Sequence, residues 1–202
     1  MMQKTYELVG EALCLDFTNT VGGWRGGELT ENLHGYGDLL SWGVQAGSIT
    51  TEQEAQLLRE AEKRPDEAAA VLAGALELRE TLFRIFDAVA HEQTPDAEDM
   101  AVFNADLAQA MAHVQVTQHG DHFHWSWLED NRDFSSVLWA VLRSAGDLLT
   151  TPQQLQYVRE CGNDECDWLF VDTTKNHSRR WCDMKGCGNR MKVRKHRKKQ
   201  QS

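Results

Sequence analysis

No apolar run in this 202-residue sequence approaches the ~20 residues a helix needs to cross a bilayer. The opening Met-Met-Gln-Lys-Thr-Tyr-Glu lacks the charged-then-apolar pattern of a secretory leader. A cytoplasmic protein with no membrane partner is therefore expected. There is also no phosphate-binding glycine loop, no nucleophile elbow and no convincing catalytic triad. No residue is nominated as catalytic, and an enzyme is the least favoured class. Proline occurs three times, at Pro65, Pro95 and Pro152, each beside a helix start or boundary. No internal repeat is visible. Positive charge is scarce over most of the chain, since residues 1–174 hold ten Lys and Arg against thirty Asp and Glu.

What is present is concentrated at the other end. From Lys175 onward there are eleven Lys and Arg against one acid, Asp183, so the net charge of −10 conceals an acidic body bearing a basic arm. The same region holds four of the five cysteines, as Cys161-Gly-Asn-Asp-Glu-Cys166 and, fifteen residues later, Cys182-Asp-Met-Lys-Gly-Cys187. Two short Cys–Cys loops at this separation supply the four thiolates of a tetrahedral zinc ion. In a reducing compartment such pairs are metal ligands more often than disulfides, with a redox switch as the competing use. Four thiolates fill the coordination sphere, so a structural ion rather than a catalytic one is expected.

The body reads as mainly α, with some β. Residues 8–20 are apolar and ambiguous between helix and strand. Gly22, Gly23, Gly26 and Gly27 suggest a mobile loop around Trp24 and Arg25. Helices are expected over 33–46, from Thr51 to about Lys63 with Glu54 completing a capping box, and over a long apolar-striped segment after Pro65. Arg79 and Arg84 are expected to be exposed, with Glu80 and Arg84 paired. Thr94-Pro95 should end this helix and cap the next. Residues 113–127 alternate as a β-hairpin with Phe123, Trp125 and Trp127 inward, and 133–149 return to helix. The division is a helical domain over 1–152 and a finger over 153–202. In the finger, strands are expected at 167–172 and 178–181, followed by the second cysteine pair and a basic helix. That is the order of a treble-clef-like zinc finger.

Trp168-Leu-Phe-Val-Asp172, Arg179-Arg-Trp-Cys-Asp-Met184 and Cys187-Gly-Asn-Arg190 resemble the CGNR zinc finger family. That finger forms the C-terminal part of bacterial proteins whose N-terminal part is the ABATE domain. Cys14-Leu-Asp-Phe-Thr-Asn-Thr20 resembles the opening Leu-Asp-Phe-x-Asn-Thr pattern of that domain. The resemblance implies a stress-induced transcription regulator with a DNA-binding finger, its metal held by Cys161, Cys166, Cys182 and Cys187. Thr174 stands where Ser is expected and keeps the hydroxyl.

The nucleic-acid candidates follow from charge: Arg179, Arg180, Lys185, Arg190, Lys192, Arg194, Lys195, Arg197, Lys198 and Lys199. A solvated tail docked on the acidic body is the bland alternative. DNA is the expected partner, with RNA or a protein partner of the same arm as the runner-up. Asp16 and Asn19 are candidates for an unknown small-molecule ligand, against the commoner role of bonding nearby backbone. His119, Asp121, His122 and His124 invite a second metal site, although a polar hairpin face explains them equally. Cys14 reads as a buried core thiol. A homodimer is compatible with the composition.

Overall fold

The computed structural model describes residues 5–128 and 133–200, with side chains as far as Arg197. The chain begins with α1 (Leu13–Thr18), the hairpin β1 (Val21–Gly23) and β2 (Leu29–Glu31), then α2 (Tyr36–Ala46) and α3 (Thr51–Lys63). It continues through α4 (Pro65–Ala90), α5 (Ala97–Met111), the hairpin β3 (Val114–His119) and β4 (His122–Trp127), and α6 (Ser136–Leu149). A short α7 (Pro152–Leu155) precedes the antiparallel pair β5 (Val158–Glu160) and β6 (Leu169–Val171). A wide π-type turn, Met184–Gly188, runs into α8 (Asn189–Gln200).

The long α4 is the centre of the molecule. Pro65 opens it because its missing N–H falls where a helix has no acceptor, and Asp66 and Glu67 face the positive end of the helix dipole. One stripe of α4, including Ala75, Leu78, Leu82, Ile85 and Phe86, is buried. Helices α1, α2, α3 and α5 pack around it, α6 closes against α1 and α5, and β5 and β6 also lie on α4. Val158, Leu169 and Val171 of the two strands belong to the same apolar core as the helices. Each such side chain, fully buried, contributes roughly 1.5–3 kcal/mol.

Local chemistry sets most boundaries. Thr50 and Gln53 form the capping box of α3, one residue earlier than Thr51 and Glu54. The tandem Thr50-Thr51 and Gln53-Glu54 satisfy the pattern in both registers, and burial of Ile49 goes with the earlier one. Helix α5 is capped by Asp96, whose carboxylate accepts from the Glu98 N–H at 2.7 Å, and not by Thr94. Helix α2 stops at Gly47, which takes a φ of 76° that a side chain would strain.

Several expectations are corrected. Arg79 is 4% exposed rather than solvated, because Glu31 on β2 receives its guanidinium through two bonds of 2.8 and 2.7 Å. Arg84 pairs with Asp99 of α5, while Glu80 receives Arg25 and Arg79 instead. The glycine-rich loop is a hairpin turn held by Arg25. Cys14 is fully buried, as a core thiol should be.

The β3–β4 hairpin forms in register and meets the body through Trp127 and through Arg143 of α6, which lies 5.3 Å from the Trp125 ring centre. Trp127 packs on Trp139 of α6, whereas Phe123 and Trp125, expected to be inward, are 69% and 57% exposed. Alternation shows that the two faces differ; it does not show which face another element covers. His124 bonds Thr117 across the strands, and among the described residues His119, Asp121, His122 and His124 form no metal-binding group.

Candidate metal centre and basic helix

The finger is built from two anchored cysteine loops. In the first, the β5–β6 hairpin carries Cys161 and Cys166 at its tip, with the Cys161 N–H on Trp168 O and the Cys166 N–H on Asn163 O. Residues 178–181 do not form the expected strand, since β6 takes β5 as its partner. They are held by Arg179, whose guanidinium donates to the carbonyls of Val9, Trp181 and Cys182 and lies over the Phe170 ring. The Gly162 N–H reaches Arg180 O at 2.8 Å, an approach tight enough that a Cβ at Gly162 would sit 3.0 Å from that oxygen. Asp183 then caps the π-type turn through the Gly186 N–H, placing Cys187 at the entry to α8.

These anchors bring all four buried sulfurs within 4.8 Å of one another. A tetrahedral ion with Zn–S bonds of about 2.3 Å puts its sulfurs about 3.8 Å apart. Cys166 Sγ and Cys182 Sγ are 3.8 Å apart. Two N–H groups point at the sulfurs as a second layer, Asn163 Nδ2 to Cys187 at 3.3 Å and the Cys182 backbone to Cys161 at 3.4 Å. Hydrogen bonds from Cys166 and Cys182 pull the Cys161 thiol far below its ordinary pKa. The same contacts push Cys182 up, and that with Cys161 pushes Cys166 up. One negative charge suppresses the next, and a divalent cation removes the conflict. The donor set fits one zinc ion, which the four cysteines enclose without an open position.

The finger is joined to the helical body by polar contacts that join distant parts of the chain. The Asn19 side chain, 4% exposed, bonds both backbone groups of Leu169, accepting its N–H at 3.0 Å and donating to its O at 2.9 Å. Trp168 Nε1 donates to Val21 O at 2.7 Å. Arg25 reaches Asp167 with its backbone N–H at 2.6 Å and its guanidinium at 3.0 Å, bonds Glu80 at 2.7 Å, and lies 3.5 Å above the Phe83 ring. Burial alone would raise the Glu80 carboxyl, but bonds from Arg25 and Arg79 outweigh it and hold it below its ordinary range. His91, the C-cap of α4, bridges to Glu160 of β5 at 3.3 Å, with its other ring nitrogen on the Asp87 carbonyl. Both ring nitrogens are thus engaged, so Asp87, His91 and Glu160 read as an ion-pair link.

The four cysteines and the Leu-Asp-Phe-Thr-Asn-Thr segment thus lie on one connected structure. A family model described as "Putative stress-induced transcription regulator", the ABATE domain, matches residues 11–152. The chain belongs to the ABATE family. The CGNR zinc finger model matches residues 157–200. Neither is an enzyme family, and a search of curated proteins returns no match. In this ABATE protein no helix among the described residues is long and apolar enough to cross a membrane.

The basic candidates fall into separate groups. Arg180, Lys185, Arg190, Lys192, Lys195 and Arg197 are exposed. Arg194 is half-buried and ion-paired with Glu165 of the first cysteine loop. Arg179 is committed to the carbonyls of Val9, Trp181 and Cys182 and to the Glu11 carboxylate. The side chains of Lys198 and Lys199 lie outside the described residues. Asp16 accepts from the Gly10 N–H at 2.8 Å, and burial pushes its carboxyl up to about 6 despite that bond. Residues that local patterns did not reveal are Arg25, Glu80, Asn163 and Asp167. Asp167 had one signal, an acid beside a cysteine in a finger otherwise bound to a basic arm.

Proposed function

We propose that this chain is a zinc-dependent, DNA-binding transcriptional regulator of the cytoplasm. Its acidic N-terminal domain senses a small ligand or mediates assembly, including a homodimer. The observation that carries the reading is α8, which leaves the zinc centre with Arg190, Lys192, Lys195 and Arg197 exposed and no apolar face to bury. A helix of this charge has phosphate as its natural counter-surface. Arginine adds bidentate bonding to phosphate oxygens or guanine edges. Arg180, just before the second cysteine pair, and Lys185, within it, are also exposed and add positive charge beside the metal centre. Arg179 is left out of the contact set, and Arg194 joins it only on release from Glu165.

The test is footprinting of zinc-loaded, full-length protein on genomic DNA fragments at physiological salt. Protection at a defined site supports the regulator. Steep salt dependence with no preference among sequences favours a non-specific nucleic-acid module, and binding to RNA but not duplex DNA favours the RNA reading. No binding to either removes the proposal.

A further inference from the structure

The β3–β4 hairpin turns an apolar face to water. Its register pairs Val114 with Trp127, Val116 with Trp125 and Gln118 with Phe123, and directly opposite residues of an antiparallel pair share one face. That face therefore has two lanes, an aromatic ridge along β4 and a furrow of smaller side chains along β3. Trp127 anchors the inner end of the ridge on Trp139 of α6. Further out, Val116, Trp125 and Phe123 are 56%, 57% and 69% exposed. The other face carries Thr117, Ser126 and the three histidines. A polar face in water is ordinary, whereas adjoining exposed aromatics mark a contact surface. Among the described residues β3 and β4 pair with no third strand, and a two-stranded ribbon is marginal without a layer to cover it.

Charge and shape identify what covers it. Residues 114–127 hold one formal charge, Asp121, inside a body that holds ten basic and thirty acidic residues over 1–174. A nucleic acid finds no Lys or Arg on the ribbon to meet its phosphates. A basic partner has stronger anchorage on the acidic surface elsewhere. For a second copy the balance is different. Two bodies of the same negative sign repel where their charged surfaces meet, and the near-neutral ribbon is where they touch at least cost. The face is also its own complement, because an aromatic ridge beside a valine furrow lets each copy's ridge lie in the other's furrow. We infer that two copies of this chain pair through these hairpin faces, in the isologous contact of a two-fold dimer. Phe123 and Trp125 leave about 250 Å² open per copy, so a pair covers about 500 Å² with these rings. Val116 and the flanking strand surface bring the contact toward about 1,000 Å², the low end of specific interfaces. The dimer is accordingly a weak one. The inference rests on the assembly reading of the N-terminal domain and gives that reading its surface.

The experiment is sedimentation equilibrium of the full-length, zinc-loaded protein without DNA, so a failure here leaves the nucleic-acid proposal standing. The parent is expected to pass from the mass of one chain to that of two with a dissociation constant of about 1–100 µM. Phe123→Ser combined with Trp125→Ser should weaken pairing at least about thirtyfold, the usual effect of removing a central aromatic anchor. His122→Ser, on the opposite face, should leave it unchanged. Raising salt from about 0.1 to about 0.5 M should preserve or tighten the dimer, because salt screens the repulsion between the acidic bodies. A parent that stays monomeric up to about 500 µM, or a double variant that pairs as tightly as the parent, would overturn the inference. Association that disappears at high salt would overturn it too, and would place the basic arm of one copy on the acidic body of another. Both rings are largely exposed, so the double variant should keep the parent's urea midpoint. If it does not, Phe123→Glu, which sets like charges on the two facing ridges, takes its place with an expected weakening of at least about tenfold.

Discussion

Replacing Asn19 by Ala tests the joint between finger and body. The substitution removes one acceptor and one donor from a buried site, leaving Leu169 N–H and C=O without partners. Leu169 is itself fully buried, so water does not replace them without opening the core. Each orphaned group costs about 1–3 kcal/mol, so a loss of roughly 2–6 kcal/mol is expected. Against the 5–15 kcal/mol typical of a whole domain, that is a large share. Asn19→Asp should be no better, since a carboxylate still accepts from Leu169 N–H but turns its second oxygen on Leu169 O. Urea unfolding monitored by tryptophan fluorescence measures the change. A parallel assay follows zinc transfer to a chromophoric chelator, which should accelerate because β6 leads back to Cys166. If Asn19→Ala unfolds within 0.5 kcal/mol of the parent at unchanged m-value, the two bonds do not hold the finger and the reasoning is wrong.

The remaining expectations are as direct. Metal analysis of protein purified without chelator should give one zinc per chain, and Cys182→Ser should release it; absence of zinc under reducing conditions contradicts the four-cysteine centre. Arg25→Met should cost about 3 kcal/mol by leaving Asp167, 2% exposed, without its charged partner; an unchanged urea midpoint refutes the clamp. The Asp16 carboxyl, raised to about 6, binds its proton more tightly folded than unfolded, so this group lowers stability as pH rises from about 4 to 6. Asp16→Asn should flatten that part of the pH–stability profile, by at most about 3 kcal/mol, and an unaltered profile rules the group out. Glu165→Gln should free Arg194 and steepen the salt dependence of DNA binding by up to about 0.9 in log–log slope; a shallower slope would show that Glu165 orients Arg194 usefully.

What the sequence revealed and what it hid divide along a physical line. The cysteine pairs, the long α4 stripe and the basic arm are written in neighbouring residues, because turns, helical periodicity and charge density are local properties. Arg79 shows the limit. Its place in a helix is clear from its neighbours, but its burial depends on Glu31, 48 residues away on another element. Arg25–Asp167 and Asn19–Leu169 span 142 and 150 residues, and no periodicity encodes such pairings. The glycines around Arg25 therefore read locally as a mobile loop, because the partners of Arg25 lie far along the chain. Asn19, a candidate for a ligand contact, has an amide that also joins two distant parts of the chain, a role nothing in its neighbours encodes.

The most direct measurement of the central claim is DNA affinity as a function of salt, for the zinc-loaded parent, the chelator-stripped protein and an Arg190→Ala, Lys195→Ala, Arg197→Ala variant. The parent should show a steep linear fall of log affinity with log salt. The variant's slope should be shallower by up to about 0.9 for each phosphate contact removed, and stripping the zinc should abolish protection at a defined site. Binding that is indifferent both to zinc and to the three substitutions would contradict a zinc-built nucleic-acid interface on α8.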